Sequence, residues 1–240
     1  MRPRKKSNEK TMTPIYQTTM NSISIDCIIF GFNNGVLEVL LVQHALGDTK
    51  GEWGLPGGFI FENESIDDAA QRLLKELTGL NNIFLEQVKA FGEPHRFPQR
   101  RVITIGYYAL INRKEYDIKA GFTASEAEWY KINSIPNLIY DHNEILDFGV
   151  KKLQNRILTA PIGFNLLPEK FTLLELMQLY EEILGIALDK SNFRRKILKM
   201  KLLVALDEKQ QDVSHRAAQL YQFDSKIYAK LSQKGFNFEI

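Results

Sequence analysis

The chain has 240 residues, 44% hydrophobic and 25% charged, with a formal net charge of +2. These values exclude a fibrous or wholly disordered protein, and the length accommodates two domains with cores of their own. No apolar run approaches the roughly 18 residues of a membrane span and no signal-peptide core follows the basic N-terminus, so a cytoplasmic location without membrane contact is expected.

Charge is unevenly spread. Residues 1–20 carry five Lys/Arg against Glu9 and have no apolar period, which predicts a mobile basic arm. From Ser22 the pattern alternates, and Asn33-Asn34-Gly35 between Ile23 to Phe32 and Val36 to Val42 predicts a hairpin. The single cysteine, Cys27, falls on this alternation (Ile23, Ile25, Cys27, Ile29) and is expected to pack rather than react. A Gly/Pro-dense loop from Gly51 to Gly58 follows. A helix then opens near Ser65, with Ile66, Ala69, Ala70, Leu73, Leu74 and Leu77 forming one apolar stripe and Gly79 ending it. Strands are predicted at Ile83 to Phe91, Val102 to Leu110 and Glu128 to Lys131. A helix capped by Asp141 should run to Leu158. This mixed α+β unit spans 21–159.

At Ala160-Pro161-Ile162-Gly163 the character changes from strands to helices, which places a second unit at 160–240. Thr172 and Glu175 carry the capping-box spacing, so a helix to Leu184 is expected. A turn at 185–188 follows, then a helix capped by Asp189 running to Met200. Strands at 201–206 and 217–223 flank a polar hairpin-like stretch. Helix, short turn, helix and two-stranded wing is the order of a winged helix-turn-helix.

The twelve residues from Lys190 to Lys201 hold six cations and no acid. At 100° per residue Phe193, Ile197 and Met200 form the buried face. Ser191, Arg194, Arg195, Leu198 and Lys199 then face outward, flanked by Asn192. Arg suits the O6 and N7 edge of guanine and Asn suits adenine. Lys190 and Ser191 lie at the helix N-terminus, where amides favour phosphate. His215 and Arg216, at the far end of the wing, are candidates for minor-groove or phosphate contact. The alternatives are a solvated basic face or a surface for an acidic protein partner.

Gly58, Glu64, Arg72, Gly79 and Leu80, with Trp53-Gly54-Leu55-Pro56-Gly57-Gly58 upstream, reproduce the spacing of the Nudix box over 23 positions. In working enzymes of that family, three carboxylates at i, i+3 and i+4 hold Mg²⁺ while water attacks a pyrophosphate. Here Leu73, Glu76 and Leu77 fill the three positions. One carboxylate leaves a hard cation largely hydrated, so no metal, cofactor or catalytic residue is expected and the chain reads as not an enzyme. Glu64, Arg72 and Glu76 remain as either a fold-stabilising network or ligand partners.

A damaged box joined to a winged helix that includes Leu167 to Met200 resembles the Nudix-related transcriptional regulators. The resemblance implies a Nudix-like mixed sheet sandwich followed by the winged helix. It also implies a homodimer through the Nudix domains, a palindromic double-stranded DNA operator and a small-molecule effector in the Nudix cleft. One branch responds to ADP-ribose and governs NAD metabolism; another controls sugar catabolism, including responses to L-arabinose. Residues 21–159 carry 14 Lys/Arg against 18 Asp/Glu, and with the metal ligands gone this favours L-arabinose, with repression as the mode. Arg96, Arg100 and Arg101 suit a phosphate and keep ADP-ribose as the alternative, beside an active Mg-dependent pyrophosphatase. His44, Trp53, Glu64, Glu76, His95, Arg101, Tyr107, Asp141 and His142 are the candidate effector ligands.

Overall fold

The structure is a computed structural model that describes residues 19–81, 83–121, 124–211 and 217–240. The arm up to residue 18, and His215 and Arg216 of the wing, lie outside the described residues.

Seven strands build one mixed sheet: β1 (Thr19–Asn33), β2 (Val36–His44), β3 (Trp53–Gly54), β4 (Gly57–Phe61), β5 (Glu86–Phe91), β6 (Ile103–Ile111) and β7 (Ala124–Lys131). The path runs β3-β2-β1-β6-β5, with β4 also on β1 and β7 also on β2. The hairpin between β1 and β2 turns at Asn34 and Gly35, whose φ values of 49° and 81° are those of a two-residue primed turn. β1 pairs in parallel with β6, Ser24 opposite Thr104 and Cys27 opposite Tyr107. A central strand covered on both sides is expected to be apolar on both sides, and β1 is, except at Ser24 and Asp26. Ile25, Cys27 and Ile29 pack toward α1 (Ile66–Thr78), while Ile28 and Phe30 pack toward α2 (His142–Thr159). Cys27 is fully buried, and burial, with Asp26 beside it, raises its thiol well above the usual range.

The second half places β8 (Phe171–Thr172), α3 (Leu173–Leu184), α4 (Lys190–Lys199), β9 (Leu203–Lys209), β10 (Gln219–Phe223) and α5 (Ser225–Ser232) in chain order. Its sheet order is β8-β10-β9. The capping box forms as expected: Thr172 Oγ1 accepts from Glu175 N at 3.1 Å and Glu175 accepts from Thr172 N at 2.7 Å. Gly185 ends α3 at φ 66°, a left-handed position suited to glycine. Asp189 caps α4 by accepting from Asn192 N at 2.7 Å.

The two halves share one continuous core: Ile145, Leu153 and Ile157 of α2 join Leu176, Leu179 and Tyr180 of α3. Gln154 donates to Ile183 O at 2.9 Å, and the Leu37 amide donates to Glu182 at 3.1 Å. The chain end returns to α2, where Ile240 N donates to Leu158 O at 3.2 Å. α2 thus runs from the strand ends of the first unit to the helices of the second.

Several expectations are corrected. β1 starts at Thr19, inside the expected arm, and the Gly/Pro-dense loop contains β3 and β4. The strand expected from Ile83 starts at Glu86, and the one expected from Glu128 starts at Ala124, while β9 begins at Leu203 and extends to Lys209. Helix α5 was not anticipated from periodicity, because eight residues span barely two turns. No helix among the described residues is long and apolar enough to cross a membrane.

Candidate functional site

The box helix is closed by packing. Gly58 leaves room for Leu73: a Cβ there would lie 2.7 Å from Leu73 Cδ2, and the leucine would have to shift. Leu73 and Leu77 are buried. Arg72 binds Glu64 through two parallel bonds, Nε to Oε2 at 2.9 Å and Nη2 to Oε1 at 2.6 Å. It also donates to Phe59 O at 3.1 Å and to Glu76 at 3.0 Å, and its guanidinium lies 3.9 Å from the Phe61 ring centroid. The bonds from Arg72 hold the Glu64 carboxyl below its usual range, in part against desolvation. Glu64, Arg72 and Glu76 therefore form a network that clips α1 to β4. The magnesium implied by the Nudix resemblance does not fit here: two of its three positions are hydrocarbon, and the remaining carboxylate is engaged with Arg72. Among the described residues no group of three or more His, Cys, Asp or Glu stands together as a metal site.

A cavity of about 210 Å³ opens between β1, β4 and the start of α2. Its floor is Ser24 and Asp26 on the α2 face of β1, and Gly57 admits the approach of β4: a Cβ there would strike Asp26 Oδ1 at 2.3 Å. Arg96, 3% exposed, forms two bonds to Asp141 at 2.7 and 2.8 Å and reaches Asp26 at 3.3 Å. His142 accepts from Leu55 N at 2.9 Å through Nδ1, which leaves the ring proton on Nε2, 3.5 Å from Asp26 Oδ1. Burial lowers its pKa, so the ring is neutral at pH 7. His44 lies alongside, its Nδ1 2.8 Å from Thr49 Oγ1, and burial lowers its pKa also. Phe59, Phe97 and Tyr140 supply an aromatic wall, with ring centroids 6.1 Å apart for the first pair and 4.8 Å for the second. Tyr140 sits at φ 51°, an unusual conformation for a bulky residue.

Of the nine expected effector ligands, His44 and His142 line this cavity, and Asp141 contributes by holding Arg96. Asp141 does not cap α2 with its side chain, because its carboxylate is committed to Arg96. Glu64 and Glu76 belong to the α1 clip. Trp53 packs on Tyr130 at 5.1 Å between centroids. Tyr107 points to the α1 side of the sheet, donating to Asp67 and accepting from Gln87, and burial holds its phenol protonated. His95 and Arg101 are exposed and are not among the residues lining the cavity. Asp26, Thr49, Phe59, Phe97 and Tyr140 were missed; Asp26, an acid inside an apolar alternating run, carried a signal that could have been used.

On α4 the burial pattern follows the helical wheel. Phe193 and Ile197 are buried, Met200 is half-buried, and Lys190, Ser191, Asn192, Arg194, Arg195 and Lys199 are all exposed. Arg195 Nη2 donates to Asn192 Oδ1 at 2.8 Å, which orients both side chains along the outer face.

A Nudix-type fold without its metal ligands, joined to a winged helix with a cationic outer face, defines a DNA-binding regulator with an effector domain. Family comparison agrees: the NUDIX domain matches residues 20–148 and the NrtR DNA-binding winged helix domain matches residues 163–223. The chain belongs to the NrtR-type Nudix-related transcriptional regulators. It is 33% identical over 210 residues to the ADPR responsive transcriptional repressor NtrR of Acinetobacter baylyi, covering 86% of this chain and 83% of that protein. Shewanella oneidensis NrtR complexed with a 27mer DNA superposes with a TM-score of 0.73 at 27% identity, covering 90% of this chain and 97% of that one. The NUDIX domain of the same NrtR complexed with ADP ribose gives 0.52 at 28% identity, over 55% of this chain and 88% of that one. These relatives give no support to the expected preference for L-arabinose.

Proposed function

We propose that this regulator is a repressor whose Nudix unit (21–159) binds ADP-ribose or a related nucleotide without hydrolysing it, and whose winged helix (160–240) binds a palindromic operator as a homodimer in the cytoplasm. The observation that carries the non-catalytic reading is the burial of Leu73 and Leu77 where metal-holding carboxylates would stand. ADP-ribose as effector is supported by the relatives, one an ADPR responsive repressor and another a NUDIX domain complexed with ADP ribose. It is also supported by the aromatic wall of Phe59, Phe97 and Tyr140, which suits a base, and by Arg100, whose guanidinium lies 4.8 Å from the Phe59 ring. Lys190, Ser191, Asn192, Arg194, Arg195 and Lys199 are the proposed DNA-contacting residues of α4.

One observation favours a neutral polyhydroxylated ligand as the second reading. The buried cation of the cleft, Arg96, is already matched by Asp141 and Asp26, and the cavity is only about 210 Å³. Calorimetric titration with ADP-ribose and L-arabinose, followed by a mobility shift with each, separates the two. ADP-ribose is expected to bind and to weaken operator binding. Heat from L-arabinose alone transfers the assignment to the sugar. A ligand acts only through unequal affinity for the two DNA-binding states, so binding without a mobility change rejects it as effector.

A further inference from the structure

A second concavity, of about 550 Å³, lies between the first turn of α3, the side of α4 and the β9–β10 hairpin. Three cations converge on it from two elements: Lys190 and Arg194 from α4, and Lys209 from the end of β9. Lys190 and Arg194 are four residues apart and so share one flank of α4, roughly a sixth of a turn from the buried Phe193 and Ile197. Arg195 lies one residue further round, on the outermost line with Ser191. The groove floor is apolar, formed by Met177, Phe193 and Tyr221, with Leu174 43% exposed at the rim.

The charges are uncompensated among the described residues. None of the three cations forms an ion pair, and no acid lines the groove. Of the acids close in sequence, Glu175 and Asp189 are turned back onto helix amides as caps, and Asp207, two residues before Lys209, is not among the residues that line the groove. Glu208, beside Lys209, is paired instead with Lys170 at 2.7 Å. Strand alternation sends neighbouring side chains to opposite faces, which leaves Lys209 on the groove side. A cationic slot with an apolar floor complements a phosphodiester strand, whose phosphates need cations and whose sugars offer an apolar edge.

We infer that this groove seats one strand of the DNA backbone, with Lys190, Arg194 and Lys209 holding phosphates while Arg195, Ser191 and Lys199 face the base edges. The inference rests on the DNA-binding reading above and divides its contacts into positioning and reading sets. Lys209 enters the interface by this argument alone.

The test uses the full chain, a duplex selected by the wild-type protein from a randomised pool, and a scrambled duplex of the same composition. Affinities are measured by fluorescence anisotropy over a salt series. Lys209→Gln and Arg194→Gln are each expected to weaken both duplexes by the same factor, roughly 5- to 10-fold at 0.1 M salt, and to lower the salt slope by about 1. Arg195→Ala is expected to reduce the ratio between the two duplexes. Both Gln variants replace exposed side chains, and circular dichroism checks that each is folded. An unchanged slope in both Gln variants, or a loss confined to the selected duplex, overturns the groove assignment while leaving DNA binding intact. Wild-type protein that binds neither duplex overturns the DNA-binding reading itself.

Discussion

Replacing Arg96 by Met tests the construction of the cleft. Arg96 is 3% exposed and makes three charged bonds, two to Asp141 at 2.7 and 2.8 Å and one to Asp26 at 3.3 Å. Methionine has a similar stem and leaves two carboxylates without their cation, Asp26 7% exposed and Asp141 16% exposed. Removing one partner of a buried pair costs about 3–5 kcal/mol, because the charge left behind is stranded rather than because the pair itself is strong. Asp141 retains some water, which puts the expected loss near the lower end, about 3 kcal/mol. If stranded charge is the cause, adding Asp26→Asn and Asp141→Asn to the Met variant should recover about half of it. Urea denaturation followed by the fluorescence of Trp53 and Trp129, both in the Nudix unit, measures the change. A loss below about 1 kcal/mol, or Asn replacements that deepen it, would show that no charge is stranded at Asp26 and Asp141.

Three further outcomes are expected. Stability should fall as pH drops through 6.5, because the unfolded His142 takes a proton that burial and the Leu55 N–H bond resist in the fold; above 6.5 both states are neutral and this group adds no slope. Its contribution approaches about 1.4 kcal/mol per pH unit until the folded ring titrates, and denaturation curves of His142→Asn should be flatter between pH 6.5 and 5 by about that amount. Tyr180 is buried with no partner for its hydroxyl among the described residues, so Tyr180→Phe should raise stability by about 1 kcal/mol, and a destabilised variant in urea would reveal a missed hydrogen bond. Leu73→Glu should lower the thermal midpoint by several degrees, since it buries a carboxylate against Gly58, and chromatography of ADP-ribose incubated with Mg²⁺ should still find no AMP.

Much of the fold was legible because its signals are local and periodic. The stripe of α1, the capping box of Thr172 and Glu175 and the Asn34-Gly35 turn are each set by residues a few positions apart. β3 and β4 were not legible, since Trp53–Gly54 and Gly57–Phe61 owe their pairing to β1 and β2 rather than to their own glycine-rich sequence. The cleft was only half legible for the same reason. His142 and His44 stood out by chemistry and Arg96 as a phosphate partner, but Asp26, 70 residues from Arg96, acquires a role only when β1 and the loop before β6 meet. Asp141 illustrates the competition: its position before a helix favours capping, yet a guanidinium with two donors outbids a single amide.

Under the proposed function the protein recognises a nucleotide without turning it over and couples that recognition to DNA. Phosphorus NMR of the protein–duplex complex titrated with ADP-ribose in the presence of Mg²⁺, with anisotropy of the same labelled duplex, tests both parts on one sample. The diphosphate resonances are expected to persist while DNA is released. Cleavage at an enzyme-like rate, or DNA that stays bound at saturating ADP-ribose, would contradict the proposed function.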